Sequence, residues 1–191
     1  MALRQVRPAL QYSEGRSKPW SGARLVNAFS EKADGDKQGD FAVMAVPGLV
    51  AFASLPEGPV RGTHVMGGMA YAVSGTGLYL ILSDGSYQRL GTIQGDGVVR
   101  MADNGSQLGI AANGVAYVWS DGALVTPDGL HAVTDIAYID GYFLWSLRDS
   151  AQVAYSAINN GTVYDGLDII SAEGSPDGIV GIIANHRELL I

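Results

Sequence analysis

Asp-Gly and Asn-Gly doublets recur along this chain between short β-rich runs, at a spacing that repeats. Type I′ turns need positive φ at both central residues, and such doublets supply it, so each is a hairpin signal. The glycines Gly68, Gly105 and Gly141 stand 37 and 36 residues apart, and Asp84 and Asp121 are 37 apart, so two different turns give one period. A unit of four short strands therefore repeats. The first copy reads Arg61–Met66, Met69–Ser74, Leu78–Leu82 and Tyr87–Gly91. The second reads Val98–Ala102, Gln107–Ala112, Val115–Trp119 and Ala123–Val125, and the third Val133–Ile139, Tyr142–Leu147, Gln152–Ala157 and Thr162–Tyr164. A fourth begins at Ile179–Ala184 and stops in its second strand, Glu188–Ile191. Four strands per unit at this period select a β-propeller from the all-β architectures. The expectation is an all-β partial propeller of three full four-stranded blades and an interrupted fourth, over residues 61–191. Residues 1–60 form an N-terminal arm and loops with a basic segment.

The glycine count of 26 in 191 residues fits a turn-dense β protein, and the absence of a strict period of three excludes collagen. Runs such as Tyr71-Ala72-Val73 and Tyr142-Phe143-Leu144-Trp145 are apolar on both faces, as strands stacked between blades must be. Trp119 and Trp145 occupy corresponding edges of the second and third units, which points to inter-blade packing. A short segment at Val26–Glu31 is the one expected helix. The N-terminus Met1–Arg7 has no apolar run of signal-peptide length, and the longest apolar stretch, Phe41–Pro56, is broken by Pro47 and Gly48 and too short to span a bilayer, so neither export nor membrane insertion is expected.

The net charge of −7 is unevenly spread: residues 1–24 carry +4 and the remainder −11. Arg16, Lys18 and Arg24 surround Trp20 there, and an aromatic flanked by cations is a candidate anchor for a partner protein. The acidic body disfavours DNA phosphate.

Chemistry-bearing patterns are weak. No Walker loop, nucleophile elbow or Ser/His/Asp cluster is present, and with no cysteine the chain has neither thiolate ligands nor a thiol nucleophile. Asp34-Gly35-Asp36-Lys37-Gln38-Gly39-Asp40 begins like a calcium loop, but its twelfth position is Ala45 where a bidentate Glu is required. His64, His131 and His186 lack zinc spacing, and His186 reads as a turn residue. Asp165, Asp168, Glu173 and Asp177 offer carboxylates of the type a propeller glycosidase uses, yet their neighbours Gly166, Leu167, Ile169 and Ser171 give no aromatic platform. A solvated inter-blade loop is expected there. Ala157–Tyr164 resembles the Asp-box turn of sialidase propellers, a structural turn, with Ala in place of Ser. No catalytic, cofactor-binding or metal residue is expected, and no cofactor.

The order Arg24-Leu25-Val26-Asn27, Val46-Pro47-Gly48-Leu49, Val60-Arg61-Gly62, Met101–Gly105, Tyr138–Tyr142 and Ser171–Gly181 resembles the landmarks of the phage packaged-DNA stabilization, or tail hub, family of short-tailed P22-like phages. The resemblance runs from about Arg24 to Ile191. It implies a non-enzymatic virion protein, assembled in the host cytoplasm, that forms a hexameric ring beneath the portal and its adaptor protein. It further implies closure of the vertex over packaged DNA, with only indirect DNA contact, and docking of the tail needle and tailspike proteins. Relatives of that family continue past the equivalent of Ile191, so the chain looks like an N-terminal part. The competing expectations are a propeller glycan-processing enzyme and a generic protein-interaction module.

Overall fold

In the computed structural model, residues 26–32, 41–172 and 178–191 are described. The chain divides into two compact units, 1–51 and 52–191. In the first, β1 (Ala28–Lys32) pairs antiparallel with β2 (Phe41–Ala45), and the Val46 N–H donates to the Asn27 carbonyl at 3.0 Å. The helix expected over Val26–Glu31 is thus a strand. Six residues are too few to offset helix nucleation, whereas a strand here gains a whole ladder from Phe41-Ala42-Val43-Met44.

The second unit carries the blades. β3 (Val60–Met66), β4 (Met69–Ser74), β5 (Gly77–Ile81) and β6 (Tyr87–Thr92) form an antiparallel sheet in sequence order. β7 (Val99–Asp103), β8 (Leu108–Ala112), β9 (Gly114–Ser120) and β10 (Ala123–Val125) form the second blade. The third is β11 (His131–Ile139), β12 (Tyr142–Leu147), β13 (Gln152–Ala157) and β14 (Asn160–Ser171). Beyond it lies a hairpin of β15 (Ile183–Asn185) and β16 (Glu188–Leu190). Three four-stranded blades and an interrupted fourth are therefore observed. The turns behave as their residues require: Asn113-Gly114, Asp121-Gly122 and Asp140-Gly141 all have positive φ at both positions, the type I′ geometry.

Short pairs His131↔Val115 and Val133↔Gly114 join the second and third blades into one eight-stranded sheet, a linkage the period does not announce. Two further differences concern the third blade and the final hairpin. The blade's fourth strand, expected to end at Tyr164, runs on to Ser171 because Ile169 and Ile170 regain the ladder opposite Ala154 and Val153. Residues 165–168 bulge out between, with Leu167 N–H donating to Asp165 Oδ1 at 3.0 Å. The fourth copy starts at Ile183 rather than Ile179, because Ile179 N–H and Ile182 N–H are taken by the Ser150 carbonyl and Asp135 Oδ2.

Each blade buries both faces by alternation. Ile110 and Tyr117 pack with Tyr71, Val73 and Leu78 of the first blade, while Ala116 and Val118 face Ile136, Phe143 and Trp145 of the third. Trp119 borders the first of these cores and Trp145 lies fully inside the second, so both tryptophans are inter-blade packing, as expected. A smaller core, Ala137, Leu144 and Val153 with Ile182, joins the third blade to the final hairpin.

Candidate functional site

The docking residues read from sequence, Arg16, Lys18, Trp20 and Arg24, lie outside the described residues, as do Glu173, Asp177 and the 34–40 loop. What the structure shows is how the blades are tied together and which surfaces remain.

A strap of residues before β3 is fixed to the first blade by Glu57. Its Oε1 accepts from Tyr79 Oη at 2.8 Å and Arg89 Nε at 3.3 Å, and its Oε2 from the Thr76 N–H at 3.0 Å and Thr76 Oγ1 at 2.8 Å. Ser74 Oγ donates to the Glu57 carbonyl. The bond from Tyr79, then those from Thr76, hold the carboxyl down at about 2. Burial, with Glu57 beside it, pushes the Tyr79 hydroxyl up.

Arg61, 8% exposed, has no carboxylate partner among the described residues. It stands at a register shift at the start of β3 and spends its guanidinium on four carbonyls: Gly97 at 2.7 Å, Gly75 at 2.8 Å, Gln94 at 3.2 Å and Ile93 at 3.3 Å. Three of those belong to the segment leading into the second blade. His64 of β3 meets Asp103 of β7 at 2.6 Å, bracing the first two blades at the other end of those strands. Between the second and third blades, Gln107 Oε1 accepts from the Gly161 N–H at 2.8 Å, and its Nε2 donates to Asn160 Oδ1 at 3.4 Å. Tyr138 Oη donates to Asn159 Oδ1 at 2.9 Å nearby. The Asp-box-like turn is accordingly a structural joint, with Asn160 Oδ1 accepting from Thr162 N–H and Oγ1. His186 occupies the β15–β16 turn with φ of 55°, the role its sequence context suggested.

Of the acidic set, Asp165 and Asp168 are placed by β14. Asp168 lies beside the Tyr155 hydroxyl, and its hydrogen bond pushes that phenol up. Tyr155 packs edge to face on Tyr142 at 5.9 Å. These tyrosines come from β12 and β13, across the sheet from the carboxylates, which is why the immediate sequence neighbours gave no sign of an aromatic surface. They border a cavity of about 370 Å³ between the third blade and the final hairpin, with Leu144, Ile170 and Leu189. Its walls are mainly apolar, with Asp140 and Arg187 as the charged groups.

Among the described residues no cluster of three His, Asp or Glu side chains suits a metal ion, and no buried side-chain nitrogen or oxygen lacks a hydrogen-bond partner. Interior polar chemistry is consumed in holding strands together. Residues 52–191 carry five arginines, no lysine and fourteen Asp or Glu, a net −9. Arg61 is buried and Arg89 pairs with Glu57. The described surface of this unit is thus acidic, with no basic stripe of the kind that phosphate-backbone binding needs among the described residues.

A family model described as Phage_stabilise, the β-propeller of bacteriophage P22 Gp10, matches residues 14–191. No curated protein matches the chain.

Proposed function

The chain belongs to the Phage_stabilise family of bacteriophage P22 Gp10, a family of phage structural proteins with a β-propeller fold, and from that membership we propose that it is a tail hub of the virion. In this reading it is a non-catalytic ring component, assembled in the host cytoplasm, that closes the portal vertex beneath the adaptor protein. It keeps packaged DNA inside and receives the tail needle and tailspikes. The family match over 14–191 carries the proposal.

Two physical features support it. A plug must resist the pressure of packed DNA, and here neighbouring blades are joined by buried cores and by side-chain braces such as Arg61 and Gln107. DNA must also pass without adhering, and the −9 balance of residues 52–191 repels phosphate while offering few cations for counterion release.

The test is to label this protein in purified virions and image the particles, and to assemble particles lacking it. Label is expected at the tail vertex, and heads lacking the protein should lose their DNA on storage. A label found elsewhere, or DNA retained without the protein, would overturn the assignment.

A further inference from the structure

With no cysteine in the chain, thioethers are its only sulfur, and a mild oxidant that would take thiols first falls on methionine instead. The methionines are Met1, Met44, Met66, Met69 and Met101, and none follows Met101. Three of them gather at one place. Met66 lies in the core that joins the first and second blades, 6% exposed, and Met101 of β7 packs half-buried against that core. Met69 stands opposite Met66 in the β3–β4 ladder, 47% exposed. The core between the second and third blades contains no methionine, nor does the one between the third blade and the β15–β16 hairpin.

The turn that separates Met66 from Met69 is bare. Gly67 and Gly68 have φ of 58° and 78°, and at Gly68 no atom lies within 4 Å of where a Cβ would stand. A hairpin opens most readily at an exposed tip with no side chains to pack, and opening there lifts Met66 out of the core. The two sulfurs thus share one turn and differ in surroundings. An oxygen added at Met69 stands in water. An oxygen added at Met66 enters a core that includes Val73, Leu78 and Ile110, and a polar group buried without a hydrogen bond costs stability.

We propose that Met66 is an oxidation site acting on the first joint alone, and that Met69 is a surface thioether whose oxidation leaves the fold unchanged. With hydrogen peroxide as oxidant, the sulfur lone pair attacks one peroxide oxygen, the O–O bond breaks and an S–O bond forms. The second oxygen leaves as water, so sulfur loses two electrons and the peroxide gains them. Sulfoxide at Met66 turns a flexible apolar side chain into a polar, chiral one, which no longer fits between the first and second blades. The second and third blades stay joined, because their core holds no thioether. Methionine sulfoxide reductases, one for each epimer, reverse the step.

The test treats the full chain with hydrogen peroxide for increasing times and follows three readouts: peptide mass mapping, the urea midpoint and hydrogen exchange. Met69 and Met44 should each gain one oxygen first with the midpoint unchanged, and Met66 should follow at least about tenfold more slowly, as the hairpin opens. The midpoint should fall only as Met66 sulfoxide accumulates, with exchange rising in β3, β4 and β7 and unchanged in β11 and β12. Met66→Leu, a swap of similar volume, should keep its own midpoint under the same treatment, whereas Met69→Leu should lose stability as the parent does. A midpoint that falls in step with Met69, a Met66 that stays reduced throughout, or equal opening of the second joint would each overturn the proposal. These three are read on the parent chain and stand whether or not Met66→Leu folds.

Discussion

Replacing Arg61 with methionine keeps the length and apolar stem of the side chain and removes the guanidinium that bonds Gly75, Ile93, Gln94 and Gly97. Hydrogen bonds to a charged donor contribute about 1.5–3 kcal/mol each, but four that share one guanidinium are not additive, and carbonyls near the surface regain water. A net loss of about 3–5 kcal/mol results, set mainly by the buried Ile93 carbonyl and the two shortest bonds. Against a typical domain stability of roughly 5–15 kcal/mol, that is a large part of the whole. Urea unfolding monitored by tryptophan fluorescence measures it, and hydrogen exchange should locate the damage at residues 93–99 and β3. Arg61→Lys discriminates the cause: an ammonium is a compact point charge with three donors that cannot reach all four carbonyls at once, so lysine should restore less than half of the loss. If methionine falls within about 1 kcal/mol of the parent, or lysine restores full stability, the carbonyl clasp does not hold the first blade to the second.

Three further outcomes are expected from the same geometry. Glu57 has a carboxyl held at about 2, below its ordinary 4.5, so its contribution is complete above pH 4.5 and fades as pH falls toward 2. Glu57→Gln should flatten the pH dependence of the urea midpoint in that window and leave it unchanged in shape between pH 6 and 8. At Gly109, an added methyl would run into Ile136 Cδ1 and come within 3.0 Å of Phe143 Cδ1, so Gly109→Ala should cost about 1–3 kcal/mol and separate the second and third blades, read by hydrogen exchange in β8 and β11. Gly62→Ala should cost at least as much as Gly109→Ala in the same denaturation assay, since its methyl would meet the backbone oxygen of Val99 at 2.6 Å, an atom that cannot rotate away.

The blades were readable in the sequence because their determinants are local. Asp-Gly, Asn-Gly and Gly-Gly fix tight turns, and two-sided apolar runs fix strands, so Met69–Ser74, Ala123–Val125, Tyr142–Leu147 and Gln152–Ala157 match the expected limits. β1 and β2 escaped because the residues joining them, 33–40, are too many for a hairpin doublet, and Ala28, Glu31 and Lys32 also suit a helix. The strap escaped for a different reason. Thr76, Tyr79 and Arg89 lie 19, 22 and 32 residues from Glu57, and nothing in their spacing ties them together. Arg61 was visible only as one basic residue in a strand, since its partners are backbone carbonyls that every residue offers. The tyrosines beside Asp168 come from other strands and obey the same limit.

What repeats in this chain and what does not therefore divide along a physical line. Within a blade, every copy solves the same problem with the same turns. Between blades each joint uses different chemistry. At the start of β3 a register shift aims a cation at carbonyls of the segment entering the next blade, whereas at the start of β11 a comparable shift places Asp135, whose carboxylate takes the Ile182 N–H of the next such segment at 3.1 Å. A bulge at this position redirects a side chain toward the connector, and either charge can bind it, because a connector presents both N–H and C=O groups. Such joints make the order of blades specific: Arg61 cannot be satisfied by amide donors, nor Asp135 by carbonyls. A phage structural protein gains from this, since blades of similar internal sequence are kept from pairing out of turn during folding.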